Sequence, residues 1–407
     1  MLKRWLMKDL KAAMKVRRGV NLTGARQVGK STLAEMLELA NAKRYTFDDM
    51  FIRTAAASDP TGFVKHELNQ AMIIDEVQKV PDILDAIKIV LDHDNTPGQY
   101  LLTGSSNIRF AKLVKDSLAG RLRTIRLRSL SLGEILGNEP SFLDVAFARA
   151  FKDEYPELDK RSVIHLAFQG GYPESRDYDT RDRRQWYRDY LTDILTKDVS
   201  DITEIRKVSV LKEMATWLLV RSAQFFTMDE LSTRVQVAKE TAETYLKTLE
   251  ALYLFDCVPA WAKSDYDLML KRPKWFATDA GMMANILGWD EESVYLDEQR
   301  NGHFIETWVY QQLASIADAT GDCSISQYRD TKKREIDFLI ERADGAVLAV
   351  EVKAGAASAD DFRHLKWFGA NLAQGSYTGI VLYSGNKVLR FGEGYYAVPL
   401  SALGAQA

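Results

Sequence analysis

Two stretches of this 407-residue chain carry residue types at spacings that could do chemistry. The first is Gly24-Ala25-Arg26-Gln27-Val28-Gly29-Lys30-Ser31, followed by Thr32, which fits G-x-x-x-x-G-K-[ST]. Glycines at its two ends let the intervening backbone N–H groups curl around phosphate oxygens. The run sits between an apolar stretch, Val20 to Leu22, and a helical pattern from Ser31, so the helix N-terminus adds its favourable dipole. Lys30 would reach the β and γ phosphates of ATP, and the Ser31 hydroxyl would bind Mg2+. Downstream, Met72-Ile73-Ile74 is an apolar strand ending in Asp75 and Glu76. Asp75 suits the Mg2+ shell, and Glu76 suits polarisation of an attacking water. A following run, LLTGSSN, offers Ser105, Ser106 or Asn107 to the γ phosphate. Arg121, Arg123, Arg126 and Arg128 then crowd one segment. One reading is an arginine finger given in trans to a neighbour, with Arg121 the first candidate and Arg123 the second. The other is a basic edge facing solvent or nucleic acid.

The second stretch is LAVEVKAG, Leu348 to Gly355. Alternate residues of a strand share a face, so Glu351 and Lys353 stand together. The preceding EIDFLIERADG completes a hairpin, with Gly345 at the left-handed position of a three-residue loop. That loop pairs Ile336 with Val352, Phe338 with Val350 and Ile340 with Leu348, giving one apolar face. Asp337 then opposes Glu351 on the other. Opposed carboxylates repel unless a cation lies between them. Mg2+ or Mn2+, held by Asp337 and Glu351, is the expected cation. Lys353 would orient water or stabilise charge on a phosphate. A solvated edge strand is the plain alternative.

The elements that must position these residues follow from pattern. Short apolar runs alternate with helical stretches over about 19–135, which predicts a parallel α/β sheet covered on both faces. Residues 140–223 read as nearly all helix, and Phe226 to Trp261 has the pattern of a winged helix-turn-helix. In it Lys239, Thr241, Thr244 and Lys247 would line a DNA groove, although Glu240, Glu243 and Glu250 oppose phosphate. From about Gly302 a mixed α/β unit begins. The expected division is 1–138 for the P-loop ATPase unit, 139–223 for a helical lid or linker, 224–300 for a winged-helix-like unit and 301–407 for the last. The first residues, MLKRWLMKDLKAAMKVRRG, form a basic helical pattern with Leu2, Leu6, Leu10 and Met14 four apart, expected to pack on the first unit, with a membrane-surface helix as the alternative. A net charge of −3 confines any DNA contact to local patches. No apolar run is long enough to span a membrane, and the expected location is cytoplasmic.

GARQVGKSTL, MIIDEVQKVP, LLTGSSN and AGRLRTIRLRSLSLGE together resemble the bacterial and archaeal AAA+-type ATPases that carry a C-terminal DUF4143 region. The resemblance runs from Val20 to the EVKAG stretch. It implies an AAA+ core with strand order 5-1-4-3-2 and a homo-oligomeric, ring-like assembly. A second arginine sensor is not clear in the lid, where Arg183, Arg184 and Arg188 are the options. The D…ExK arrangement resembles the PD-(D/E)xK nucleases, in their Holliday-junction-resolvase-like branch. That resemblance implies a further metal-ligating glutamate on the preceding helix, where Glu306 stands, and a restriction-endonuclease-like fold. Lys332, Lys333 and Arg334 would hold a phosphate backbone. The leading expectation is an ATPase coupled to a metal-dependent DNA nuclease in defence, mobile-element control or repair. The alternatives are an ATP-switched DNA-binding regulator and a protein-remodelling ATPase, each with an inactive nuclease-like unit.

Overall fold

The computed structural model describes residues 2–39, 41–65, 70–104, 118–198, 208–262 and 272–406. The first sheet is built from β1 (Gly19–Thr23), β2 (Lys43–Thr46), β3 (Met72–Asp75), β4 (Tyr100–Thr103) and β5 (Leu122–Arg126), in the order β2-β3-β4-β1-β5. Every pairing in it is parallel. Read from β5 the order is 5-1-4-3-2, as the AAA+ resemblance implies. Burial on both faces explains why its central strands read as unbroken apolar runs such as Ile73-Ile74 and Leu101-Leu102. The helix Leu6–Val16 lies on it through Leu6, Leu10, Ala13 and Met14, at the expected helical spacing.

Helices follow, including Lys160–Gln169, Thr180–Asp193 and Val208–Val220. Met228–Arg234 and Lys239–Ala251 come next, then β6 (Phe255–Val258) and β7 (Lys274–Ala277), which form a two-stranded antiparallel sheet. The capping box of Thr227 and Glu230 starts the first of this helix pair.

The last sheet has β8 (Cys323–Arg329), β9 (Glu335–Arg342), β10 (Val347–Lys353), β11 (Tyr377–Tyr383), β12 (Leu389–Gly392) and β13 (Tyr395–Pro399), in the order β12-β13-β11-β10-β9-β8. Phe338, Ile340, Leu348 and Val350 join the core that contains Ile305, Val309 and Leu313 of the helix Glu298–Thr320. Leu339, Ala349 and Val381 join a second core with Leu365 and Phe368 of the helix Arg363–Asn371. Both faces are therefore buried, which counts against the alternative of a solvated edge strand. The hairpin pairs Glu341 with Val347, Ile340 with Leu348 and Phe338 with Val350, the register that the three-residue loop predicts.

The register holds only as far as Phe338. Between Ser326 and Tyr328 the pairing of β8 with β9 shifts, so β9 bulges around Asp337. Ile336 is buried with Leu339 and Ala349, not with Phe338 as alternation would have it. The bulge thus re-aims the side chains at the chemically interesting end of β9.

Candidate nucleotide site and carboxylate cluster

The loop from β1 into the helix Lys30–Glu35 begins at Gly24, with φ 143°, and ends at Gly29, with φ 97°. A Cβ on Gly24 would lie 2.2 Å from the Leu127 carbonyl oxygen, so the loop can pass β5 only with glycine there. Gln27 adopts φ 59° between them. Lys30 is buried within the loop, its Nζ donating to the carbonyls of Gly24 (3.0 Å) and Ala25 (2.7 Å). Arg4 supports the loop from behind, donating to the Val28 carbonyl at 2.7 Å and to Glu134 at 3.0 Å.

Asp75 ends β3 beside this loop. Ser31 donates to its Oδ2 at 2.9 Å, and Thr103, from the end of β4, donates to Oδ1. A hydroxyl and a carboxylate side by side are the donor set that a hard cation takes. Ser31 and Asp75 thus fit Mg2+, which would shield phosphate charge there. Thr103 was not singled out from the sequence; a hydroxyl ending a buried strand next to the acidic one was its only signal. Glu76 takes the left-handed conformation (φ 54°, ψ 39°), unusual for glutamate and a kind of strain that gathers at functional sites. Its carboxylate accepts from Gln78 at 2.5 Å. Ser105, Ser106 and Asn107 lie outside the described residues.

A cavity of about 740 Å3 opens over the loop. Arg26, Gln27, Gly29, Lys30, Ser31, Thr32 and Glu76 line its floor, and Trp186, Asp189, Tyr190 and Ile194 line its other wall. That wall belongs to the helix Thr180–Asp193 and the π turn Ile194–Asp198 after it. Trp186 stacks on Tyr190 with ring centroids 5.2 Å apart, and the Tyr190 hydroxyl donates to the Arg26 carbonyl at 3.3 Å. The helical segment is therefore joined to the phosphate loop itself. Its aromatic–acidic face carried no recognisable motif in the sequence.

The arginines are spent differently. Arg121 pairs with Asp92 at 2.5 Å and Arg123 with Asp9 at 2.8 Å, and neither lines the cavity. Leu122, next to Arg121, pairs with Gly19 at the start of β1, the end of the sheet away from the loop. Arg121 thus cannot serve this chain's own nucleotide. Arg126 and Arg128 hold Asp256 of β6 at 2.8 Å and 2.5 Å. Asp256 is desolvated, yet these two guanidiniums hold its carboxyl well below the usual range. Arg128 also reaches Asp318, and Tyr310 donates to Asp256 at 2.7 Å. The basic-edge reading is corrected at these two positions. Among the sensor options, Arg183 donates to the backbone carbonyls of Ser175, Arg176 and Tyr178, and Arg184 to that of Trp289.

In the last sheet, the hairpin ladder ends where the Asp337 carboxylate accepts the Val352 N–H at 2.9 Å. Lys353 donates to Glu351 at 3.0 Å and lies 3.6 Å from Asp361. Burial and the charge of Asp337 push the Glu351 carboxyl up to about 8, against the pull of Lys353. Glu306 is buried and accepts from Lys274 of β7 at 2.6 Å. The same ammonium lies 3.1 Å from Glu335 and 3.8 Å from Asp337. Burial opposes its charge, but Glu306, Asp337 and Glu335 outweigh that and raise its pKa. Among the described residues no group of three or more acidic, histidine or cysteine side chains is placed to hold a metal. As arranged, Asp337, Glu351 and Glu306 do not fit Mg2+ or Mn2+, because a lysine fills the space between Glu306 and Asp337. Nearby, Arg334 pairs with Asp330 at 2.6 Å and lies over the Trp367 ring, while Lys332 and Lys333 are exposed.

Comparison with known proteins bears on the domains that carry these residues. Residues 16–136 match the AAA domain family AAA_14, 160–293 match DUF8612 and 301–403 match DUF4143, the last two being domains of unknown function. The chain carries an AAA+-type P-loop ATPase domain and a C-terminal DUF4143 domain. It is 25% identical over 351 residues to uncharacterized proteins of Mycobacterium tuberculosis and Mycobacterium bovis, covering 84% of this chain and 73% of each of them. Among solved structures, a Walker-type ATPase of Pyrococcus abyssi is 14% identical, with a TM-score of 0.33, over 69% of this chain and 94% of that one. The DNA clamp loader delta protein of Bacillus subtilis is 10% identical, with a TM-score of 0.23, over 76% of this chain and 99% of that one. Among the described residues no helix is long and apolar enough to cross a membrane.

Proposed function

We propose that this chain binds Mg2+–ATP over the Gly24–Thr32 loop and hydrolyses it, and that the nucleotide cycle governs a C-terminal unit acting on DNA. The observation that carries the first part is the meeting of Ser31, Asp75, Lys30 and Glu76 beneath one nucleotide-sized cavity. Lys30 would turn from the loop carbonyls to the β and γ phosphates. Ser31 and Asp75 would hold Mg2+, which supplies charge neutralisation at the transferred group. Glu76 would accept hydrogen bonding from the attacking water and fix its direction. Arg121 would act, if at all, on the nucleotide of a neighbouring copy, so this role goes with a homo-oligomer. Equilibrium binding of a fluorescent ATP analogue and steady-state hydrolysis test the reading. Lys30→Ala is expected to lose both, since it removes the cation facing the phosphates. A variant that binds and hydrolyses like wild type would refute it.

Metal-dependent DNA cleavage is the finer reading of the C-terminal unit, supported by the convergence of Asp337, Glu351 and Lys353 at one end of the hairpin. A second reading, a DNA-engaging unit that does not cleave, is favoured by one observation, the Lys274 ammonium among the carboxylates. Linear, branched and single-stranded DNA incubated with Mg2+ or Mn2+, with and without ATP, separates the two by the presence or absence of cleavage. Either would suit defence, mobile-element control or repair.

A further inference from the structure

We infer that the ammonium of Lys274 is the resident cation of the C-terminal carboxylate cluster and excludes a divalent ion from it. The inference rests on reading Asp337, Glu351 and Lys353 as a nuclease-like site. Three carboxylates from two elements converge on one nitrogen: Glu306 at 2.6 Å, Glu335 at 3.1 Å and Asp337 at 3.8 Å. Lys274 is only 3% exposed, so it is a built part of the interior, not a surface side chain that happened to fold inward. Burying a lysine without partners would be strongly unfavourable, and so would burying Glu306 beside the part-exposed Glu335 and Asp337 with no cation between them. Each arrangement accounts for the other.

The surroundings are made for a cation of this shape. The rings of Phe225 and Phe276 lie 5.4 Å and 5.9 Å from the nitrogen, within the range at which an aromatic face attracts an ammonium. A divalent ion there would need oxygen ligands and water in place of these apolar faces. It would also meet a fixed positive charge. The lysine arrives from β7, whose Lys274 pairs with Val258 of β6, outside the sheet that bears the D…ExK residues. That origin is why the hairpin pattern alone gives no sign of it. Lys353 remains with Glu351 and Asp361, so each side of the cluster carries its own cation.

Calorimetric titration of Mn2+ into the nucleotide-free full chain tests this, with Lys274→Met and with Lys274→Met combined with Asp337→Asn. Methionine keeps the length of the lysine stem and removes its charge. Wild type should show no binding dependent on Asp337. Lys274→Met should gain a site, and adding Asp337→Asn should abolish it. Should thermal melting show that Lys274→Met does not fold, Lys274→Gln, which removes the charge and keeps a polar head, takes its place, and the same gain is expected. Wild-type binding that Asp337→Asn removes would overturn the inference, and DNA cleavage in the same samples would then uphold the nuclease reading. A folded Lys274-substituted chain that takes no Mn2+ would overturn it equally, whatever wild type does to DNA.

Discussion

Gly24 shows how much of the nucleotide site depends on single atoms. With φ at 143° and the Leu127 carbonyl 2.2 Å from where a Cβ would stand, an alanine must push the loop and β5 apart. Gly24→Ala is expected to lose about 1–3 kcal/mol of stability and most nucleotide affinity, read by denaturant melts and by binding of an ATP analogue. Thr103 offers a milder probe. Its hydroxyl donates to the oxygen of Asp75 that Ser31 does not use, so it fixes the carboxylate's orientation. Thr103→Val keeps the shape and leaves that oxygen unpaired, at a cost of roughly 1–3 kcal/mol. Hydrolysis should need more Mg2+ to reach half-maximal rate, while an unchanged Mg2+ dependence would remove Thr103 from the site. The phosphate loop was legible because its glycines and lysine act within one short run. Thr103 and Lys274 were not, since each acts on residues brought near it only by folding.

Among the elements, Arg126 and Arg128 form one joint between the first sheet, β6 and the helix Glu298–Thr320. Arg126, the last β5 residue paired with β1, and Arg128, two residues on, close on Asp256, which Tyr310 also holds. Removing the Asp256 charge leaves two arginines facing an amide in a buried place, so Asp256→Asn should destabilise the chain by roughly 3–5 kcal/mol. The pH dependence follows from the depressed carboxyl. Its stabilisation is complete above the ordinary aspartate pKa of about 3.9 and is lost as pH falls below that, because the unfolded chain takes up the proton first. Wild-type stability should fall with acid in that window, and Asp256→Asn should fall less steeply; parallel acid slopes would show that the network is not the joint. Along the chain these arginines read as an arginine finger or a basic edge, because charge density is visible in one dimension and pairing is not. The same limit applied to the hairpin. Turn chemistry set its register, but the bulge at Asp337 depends on β8, and it moved Ile336 to the opposite core.

Across the whole molecule, the nucleotide cavity has one wall from the P-loop sheet and one from the helix Thr180–Asp193, while Asp256 ties that sheet to the C-terminal unit. Arg121 stands apart from its own chain's cavity and is held by Asp92. If it completes a neighbour's site, Arg121→Ala alone should bind ATP without hydrolysing it, and mixing with Lys30→Ala should restore part of the rate. No restoration, or a nucleotide-bound chain that stays monomeric, would assign Arg121 to its Asp92 pair alone. The most direct test of the account is Glu76→Gln, measured for ATP binding and for turnover on the same sample. The Glu76 backbone is left-handed beside the loop, and a glutamine amide would keep the side chain's shape while losing the charge that directs water. Binding should be retained and turnover should fall by about 10²–10⁴-fold; turnover at the wild-type rate with binding intact would contradict hydrolysis at this site.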